Sequence, residues 1–126
     1  MTGQQLAQLA AINAAMNVQP YVLDSPLELP DTWKCQPDGK GWLCRDYVEC
    51  KAEKLHESGW SGPPPLTILC YDELGEYHAV LGIVDGTDTW ILDNRAEGIY
   101  RLAAPPYAYR WDRIQVAGTD QFEAMT

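Results

Sequence analysis

One turn constrains this chain more than any other feature. Asp85-Gly-Thr-Asp88 separates two apolar runs, residues 76–84 and 89–93, and an Asp-Gly step between such runs is a hairpin signal. A hairpin makes the runs antiparallel neighbours, and its loop length decides which residues face each other. A two-residue loop at Gly86-Thr87, or a four-residue loop over 85–88, sets Val84 against Thr89, Val80 against Asp93 and His78 against Arg95. Strand side chains alternate, so His78 and Asp93 then project from one face. They are diagonal neighbours with Cα atoms about 7–8 Å apart. A three-residue loop slips the register by one and brings Asn94 to that face instead. Either residue can hold an imidazole, and two loop lengths favour Asp93.

The neighbouring segments extend this hairpin into a sheet. Residues 66–71 precede it across a turn at 72–75, and residues 99–102 and 108–115 follow as further strands. Upstream the periodicity is helical. Leu6, Leu9, Ile12 and Met16 fall on one stripe of a helix over 3–17, capped by Thr2 and stopped by Pro20. In residues 43–58, Cys44, Val48, Ala52 and Leu55 share a face, and Ser58-Gly59 ends the helix. Between the helices, residues 20–42 carry four prolines and read as a long connection. Helices followed by strands define an α+β fold, two helices on an antiparallel sheet of about five strands. Residues 1–126 read as one domain.

Charge and composition narrow the function. Nine Lys and Arg stand against eighteen Asp and Glu, for a net charge of −9. Such a field repels nucleic acid and anionic membranes, so neither is expected as a partner. It would attract a basic peptide segment, although solubility alone accounts for it. No apolar run spans a bilayer, and Met1-Thr-Gly-Gln-Gln lacks signal-peptide features, so the expectation is a soluble cytoplasmic protein. The four cysteines, Cys35, Cys44, Cys50 and Cys70, are not spaced for zinc, and the composition is not that of a disulfide scaffold. No metal and no cofactor are expected. Cys35, Cys50 and Cys70 read as structural thiols, with Cys50 off the apolar helix face. His56 reads as a surface residue.

Cys44 differs by position. It opens the second helix after a Gly-rich loop, where the positive end of the helix favours a thiolate. With His78 and Asp93 it supplies thiol, imidazole and carboxylate, the set needed for nucleophilic acyl chemistry. His78 would take the thiol proton and Asp93 would orient the ring. The Cys44 backbone N–H is one oxyanion donor; the Trp33 indole or the Gln36 amide is the second.

Several short segments, in order, resemble the bacterial transglutaminase-like cysteine peptidases. They are Asp31-Thr-Trp33, Gly41-Trp-Leu-Cys-Arg-Asp-Tyr47, Tyr77-His-Ala-Val-Leu81, Trp90-Ile-Leu-Asp-Asn94 and Tyr109-Arg-Trp-Asp-Arg113. An Asn-rich first helix followed by Tyr21 and Asp24 also fits, and the likeness covers about residues 12–115. The resemblance implies a papain-like α+β fold with Cys44, His78 and Asp93 as the triad. Some members bind calcium through acidic residues flanking the nucleophile. Leu43 and Arg45 stand there in this chain, so no calcium site of that kind is expected. Asp46 is expected to make a helix-start hydrogen bond, Arg45 to favour the thiolate, and Trp42 to narrow the cleft. Asn94 remains a further cleft residue.

The resulting expectation is cleavage of an amide bond in a protein or peptide through a thioester. Acyl transfer or deamidation at a Gln side chain would use the same residues. A cell-wall amidase ranks lower, and a binding or inhibitory module that keeps the fold without turnover stands as the non-enzymatic alternative. The one-domain size also suits a phage-borne protein.

Overall fold

The computed structural model describes residues 1–19 and 42–125. Helix α1 is Gly3–Asn17. The Thr2 hydroxyl accepts from the Gln5 N–H at 3.1 Å, and the Gln5 side chain accepts from the Thr2 N–H at 2.9 Å. This reciprocal pair satisfies two donors that a helix start leaves open. Helix α2 is Cys44–Glu57. It ends at Gly59, whose φ of +77° suits glycine, with the Trp60 and Gly59 amides donating to the Leu55 and His56 carbonyls.

Six strands follow: β1 Pro65–Tyr71, β2 Tyr77–Asp85, β3 Asp88–Leu92, β4 Tyr100–Arg101, β5 Arg110–Gln115 and β6 Phe122–Ala124. They form one antiparallel sheet in the order β4-β3-β2-β1-β5-β6. The α+β class stands, with one strand more than the approximately five expected. The extra one, β6, is a three-residue edge strand beside β5, too short to carry a periodic signal.

The hairpin has the two-residue loop. Asp85 pairs with Asp88, Val84 with Thr89 and Leu81 with Leu92, and Gly86 takes a φ of +63° to make the turn. The alternation then sorts the core onto two faces. Leu69, Ala79, Leu81, Ile83 and Leu92 pack with Leu9, Ile12, Val48 and Leu55 of the helices. Ile68, Val80 and Ile91 form a second cluster on the other face, joined by Tyr100, Trp111 and Ile114. Each fully buried leucine contributes roughly 1.5–3 kcal/mol.

A bulge in β5 has consequences for the site. Ile68 pairs with Ile114 and Leu69 with Arg113, but Cys70 pairs with Trp111, so Asp112 is an extra residue. In a regular strand Trp111 and Ile114 would point to opposite faces. The inserted residue puts both on the face of Ile68.

Candidate active site

Three elements meet at the end of the sheet where β2 begins and β3 ends. His78 is the second residue of β2, and Asp93 directly follows β3. Both project from the face of Val80 and Ile91, and His78 Nε2 stands 3.0 Å from Asp93 Oδ1. Cys44, in the first turn of α2, lies near enough to His78 to help raise its pKa. Since Nε2 is taken by Asp93, Nδ1 is the ring atom left for the thiol. All three residues are buried, Asp93 completely.

Asp93 is held by four donors, as many as a carboxylate can accept. Oδ1 accepts from His78 Nε2 and from the Arg95 N–H at 3.1 Å. Oδ2 accepts from the Tyr100 and Tyr109 hydroxyls, each at 2.8 Å. Burial alone would raise the Asp93 pKa, but these hydrogen bonds, that of His78 foremost, lower it to about 2. Burial likewise disfavours a charged His78, yet the Asp93 bond, followed by Cys44, raises its pKa to about 9. The paired arrangement therefore favours an imidazolium facing a carboxylate.

The loop carrying Asp93 is anchored from α1. Asn17 Nδ2 donates to the carbonyls of Asp93 at 2.9 Å and Ala96 at 3.0 Å. Asn13 Nδ2 donates to Ala96 O at 3.2 Å and accepts from Lys51 Nζ at 2.8 Å. Lys51 is fully buried on α2. Burial lowers its pKa to about 7 against the opposing pull of Asp93. On the outer side, Arg95 forms an ion pair with Glu73 and lies over the Tyr107 ring, 4.0 Å from its centroid.

The other residues singled out in the sequence divide as follows. Trp33 and Gln36 lie outside the described residues. Trp42 is half-buried, and its ring packs on Tyr47 with centroids 5.2 Å apart. Asn94 is half-buried, with a buried Oδ1 that has no hydrogen-bond partner among the described residues. The Asp46 carboxylate accepts from the Leu43 N–H at 2.8 Å, the helix-start bond expected of it. His56 is exposed.

Cys50 requires correction. It is disulfide-bonded and only 3 % exposed, not an unpaired structural thiol. The error came from treating α2 as a surface helix with one buried stripe. It packs on both α1 and β2, so Tyr47, Cys50 and Lys51 are buried as well. Cys70 is a free, buried cysteine opposite His78, and burial raises its pKa.

The pattern missed in the sequence is the support around Asp93. Tyr100 pairs with Ile91, which makes it the diagonal neighbour of Asp93 on the β4 side, as His78 is on the β2 side. The residue parity was available, but the five-residue link over 94–98 left the register open. Tyr109 reaches the face only through the Asp112 bulge, which no turn signal marks.

The model of the bacterial transglutaminase-like cysteine proteinase family, BTLCP, matches residues 1–121. The chain belongs to that family of cysteine proteinases. Among solved structures, it is similar to LapG of Legionella pneumophila at 23 % identity and a TM-score of 0.71, over 90 % of this chain and 66 % of that one. The EGTA-treated form of LapG gives the same identity and score over 90 % and 64 %. The calcium-bound form gives 24 % and 0.70 over 88 % and 65 %. This chain thus spans just under two thirds of the length of those chains. No curated protein sequence matches it.

The residues around Cys44 do not fit a calcium ion of the kind held by acids flanking a nucleophile. Leu43 and Arg45 offer no carboxylate, and the Asp46 carboxylate bonds the Leu43 N–H. Among the described residues, no group of three or more His, Cys, Asp or Glu could hold a metal. No helix among them is long and apolar enough to cross a membrane.

Proposed function

We propose that this chain hydrolyses an amide bond in a protein or peptide, with Cys44 as nucleophile, His78 as general base and Asp93 as the residue that orients His78. The observation that supports this reading is the 3.0 Å contact of His78 Nε2 with Asp93 Oδ1, near enough to Cys44 for that residue to raise the His78 pKa as well. The thiol proton passes to Nδ1 before attack, as the raised His78 pKa favours, and the sulfur then attacks the acyl carbon. The carbonyl oxygen becomes an oxyanion, which the Cys44 N–H at the start of α2 stabilises. The tetrahedral species collapses, the C–N bond breaks, and His78 gives its proton to the leaving amine. Water then attacks the thioester, His78 accepts one of its protons, and the acid leaves as sulfur regains a proton.

The same residues would transfer the acyl group to an amine, or deamidate a Gln side chain, if an amine replaced water or ammonia were the leaving group. The net charge of −9 favours a basic segment in the substrate. The Cys50 disulfide favours an oxidising compartment over the cytoplasm expected from the sequence start.

A thiol-directed acyl probe tests the assignment. Cys44→Ala should abolish labelling, and His78→Gln should slow it by roughly 10²-fold or more. Labelling that persists in Cys44→Ala overturns the nucleophile. Mass spectrometry of products, with and without added amine, separates hydrolysis from transfer. A protein that is not labelled at all would be a binding module.

A further inference from the structure

We propose that Tyr100 and Tyr109 are positioning residues that act through Asp93 to hold His78 in place for the chemistry of Cys44. This rests on the triad reading above and adds two residues to it.

Both hydroxyls converge on one atom, Asp93 Oδ2, each at 2.8 Å. They arrive by unrelated routes. Tyr100 is aligned by its pairing with Ile91 in β4, whereas Tyr109 is turned inward by the bulge at Asp112. Packing needs only the rings. Tyr100 joins the cluster of Ile68, Val80 and Ile91. Tyr109 lies edge-on to Trp111 at 5.5 Å and beside the His78 ring at 5.6 Å. A phenylalanine would make those ring contacts equally well, so packing leaves the hydroxyls unexplained; the Tyr109 hydroxyl also accepts from Arg95 Nη1, at a longer 3.3 Å.

Asp93 explains them. A carboxylate with no exposed surface needs its lone pairs filled to stay ionised. A carboxylate held only at Oδ1 could also swivel about its Cβ–Cγ bond and take the imidazole with it. Two phenols on Oδ2 oppose both changes. Burial, and then Asp93 itself, push both phenol pKa values far up, so the groups remain donors throughout the working range. Other charges near the pair come from several elements. Helix α2 presents Cys44 and Lys51, and β1 presents Cys70. Glu73 and Arg95 face the pair from outside but neutralise each other. None of these touches Oδ2.

The test uses the whole chain with Tyr100→Phe, Tyr109→Phe and the double substitution. The first readout is the protonation midpoint of Asp93, followed by its carboxyl carbon resonance. It should rise by about one pH unit or more in the double variant, because each lost donor destabilises the ionised form. The second is the rate of Cys44 acylation by the thiol-directed probe. It should fall about tenfold or more in the double variant, and less than twofold when the same changes are made in the Asp93→Asn background. An unmoved Asp93 midpoint overturns the proposal, as does an equal fall in rate in both backgrounds. The resonance measurement does not depend on catalysis, so it decides the proposal even if the triad reading fails on the acyl probe.

Discussion

His78 Nε2 stands 3.0 Å from Asp93 Oδ1 across a strand diagonal, between residues fifteen positions apart in the chain. The contact needs no loop to fold back. Once Val84 pairs with Thr89, extrapolating the ladder to the end of β3 brings the two side chains to one face.

That contact makes stability depend on pH in a definite direction. The His78 pKa is raised from 6.5 to about 9, so its contribution is fully present below pH 6.5 and lost as pH rises through about 9. The Asp93 pKa is lowered from 3.8 to about 2, so its contribution is present above pH 3.8 and lost as pH falls through about 2. The His78 part is on the order of 3 kcal/mol. Denaturant unfolding of the parent and of Asp93→Asn, compared from pH 6 to 10, should show the parent's advantage shrinking toward the alkaline end. A His78 ring that titrates near 6.5 would rule out this coupling.

Asn17 should matter more to the site than to the core. It bonds the carbonyls of Asp93 and Ala96 from the last turn of α1. Asn17→Ala leaves those carbonyls without that donor, at a cost of about 1–3 kcal/mol. It should also slow Cys44 acylation several-fold at temperatures where the fold is intact. Thermal unfolding and probe kinetics on one sample separate the two effects, and an unchanged rate would show that the loop holds its shape without α1.

Lys51 should add a pH slope of the opposite sign. Its pKa is lowered from 10.5 to about 7, so the cost of burying its charge is absent above pH 10.5 and complete below about pH 7. Lys51→Met removes this dependence. The stability of the parent relative to Lys51→Met should therefore rise on the order of 3 kcal/mol between pH 7 and 10. A flat difference between the two proteins would mean that Lys51 remains charged throughout, with Asn13 and Asp93 sufficient to support it.

The Cys50 disulfide should be a stabilising crosslink. Cys50→Ser is expected to lower stability by about 2–4 kcal/mol, and a reducing agent should do the same to the parent while leaving the variant unchanged. Urea unfolding with and without reductant measures both. If the reductant destabilises parent and variant equally, the effect lies elsewhere.

Much of this molecule was determined by its local pattern. The two helices, their caps, five strands and the register of the central hairpin follow from periodicity and turn chemistry, because each is decided by residues a few positions apart. The approach of His78 to Asp93 belongs with them, since a two-residue turn and strand alternation suffice. Tertiary structure decided what had to come from a distance. The β3–β4 register that aims Tyr100 depends on the link over residues 93–99, which has no fixed geometry. Tyr109 faces Asp93 because Asp112 interrupts the pairing of β5 with β1, and that irregularity arises between strands forty residues apart in the sequence. Lys51 falls on the apolar stripe of α2 and lies buried there against Asn13 of α1, whereas Cys50 is buried on a face that the periodicity of α2 assigns to solvent. Local sequence sets which way a side chain points along its own element, while the partner packed against that element decides what the side chain meets.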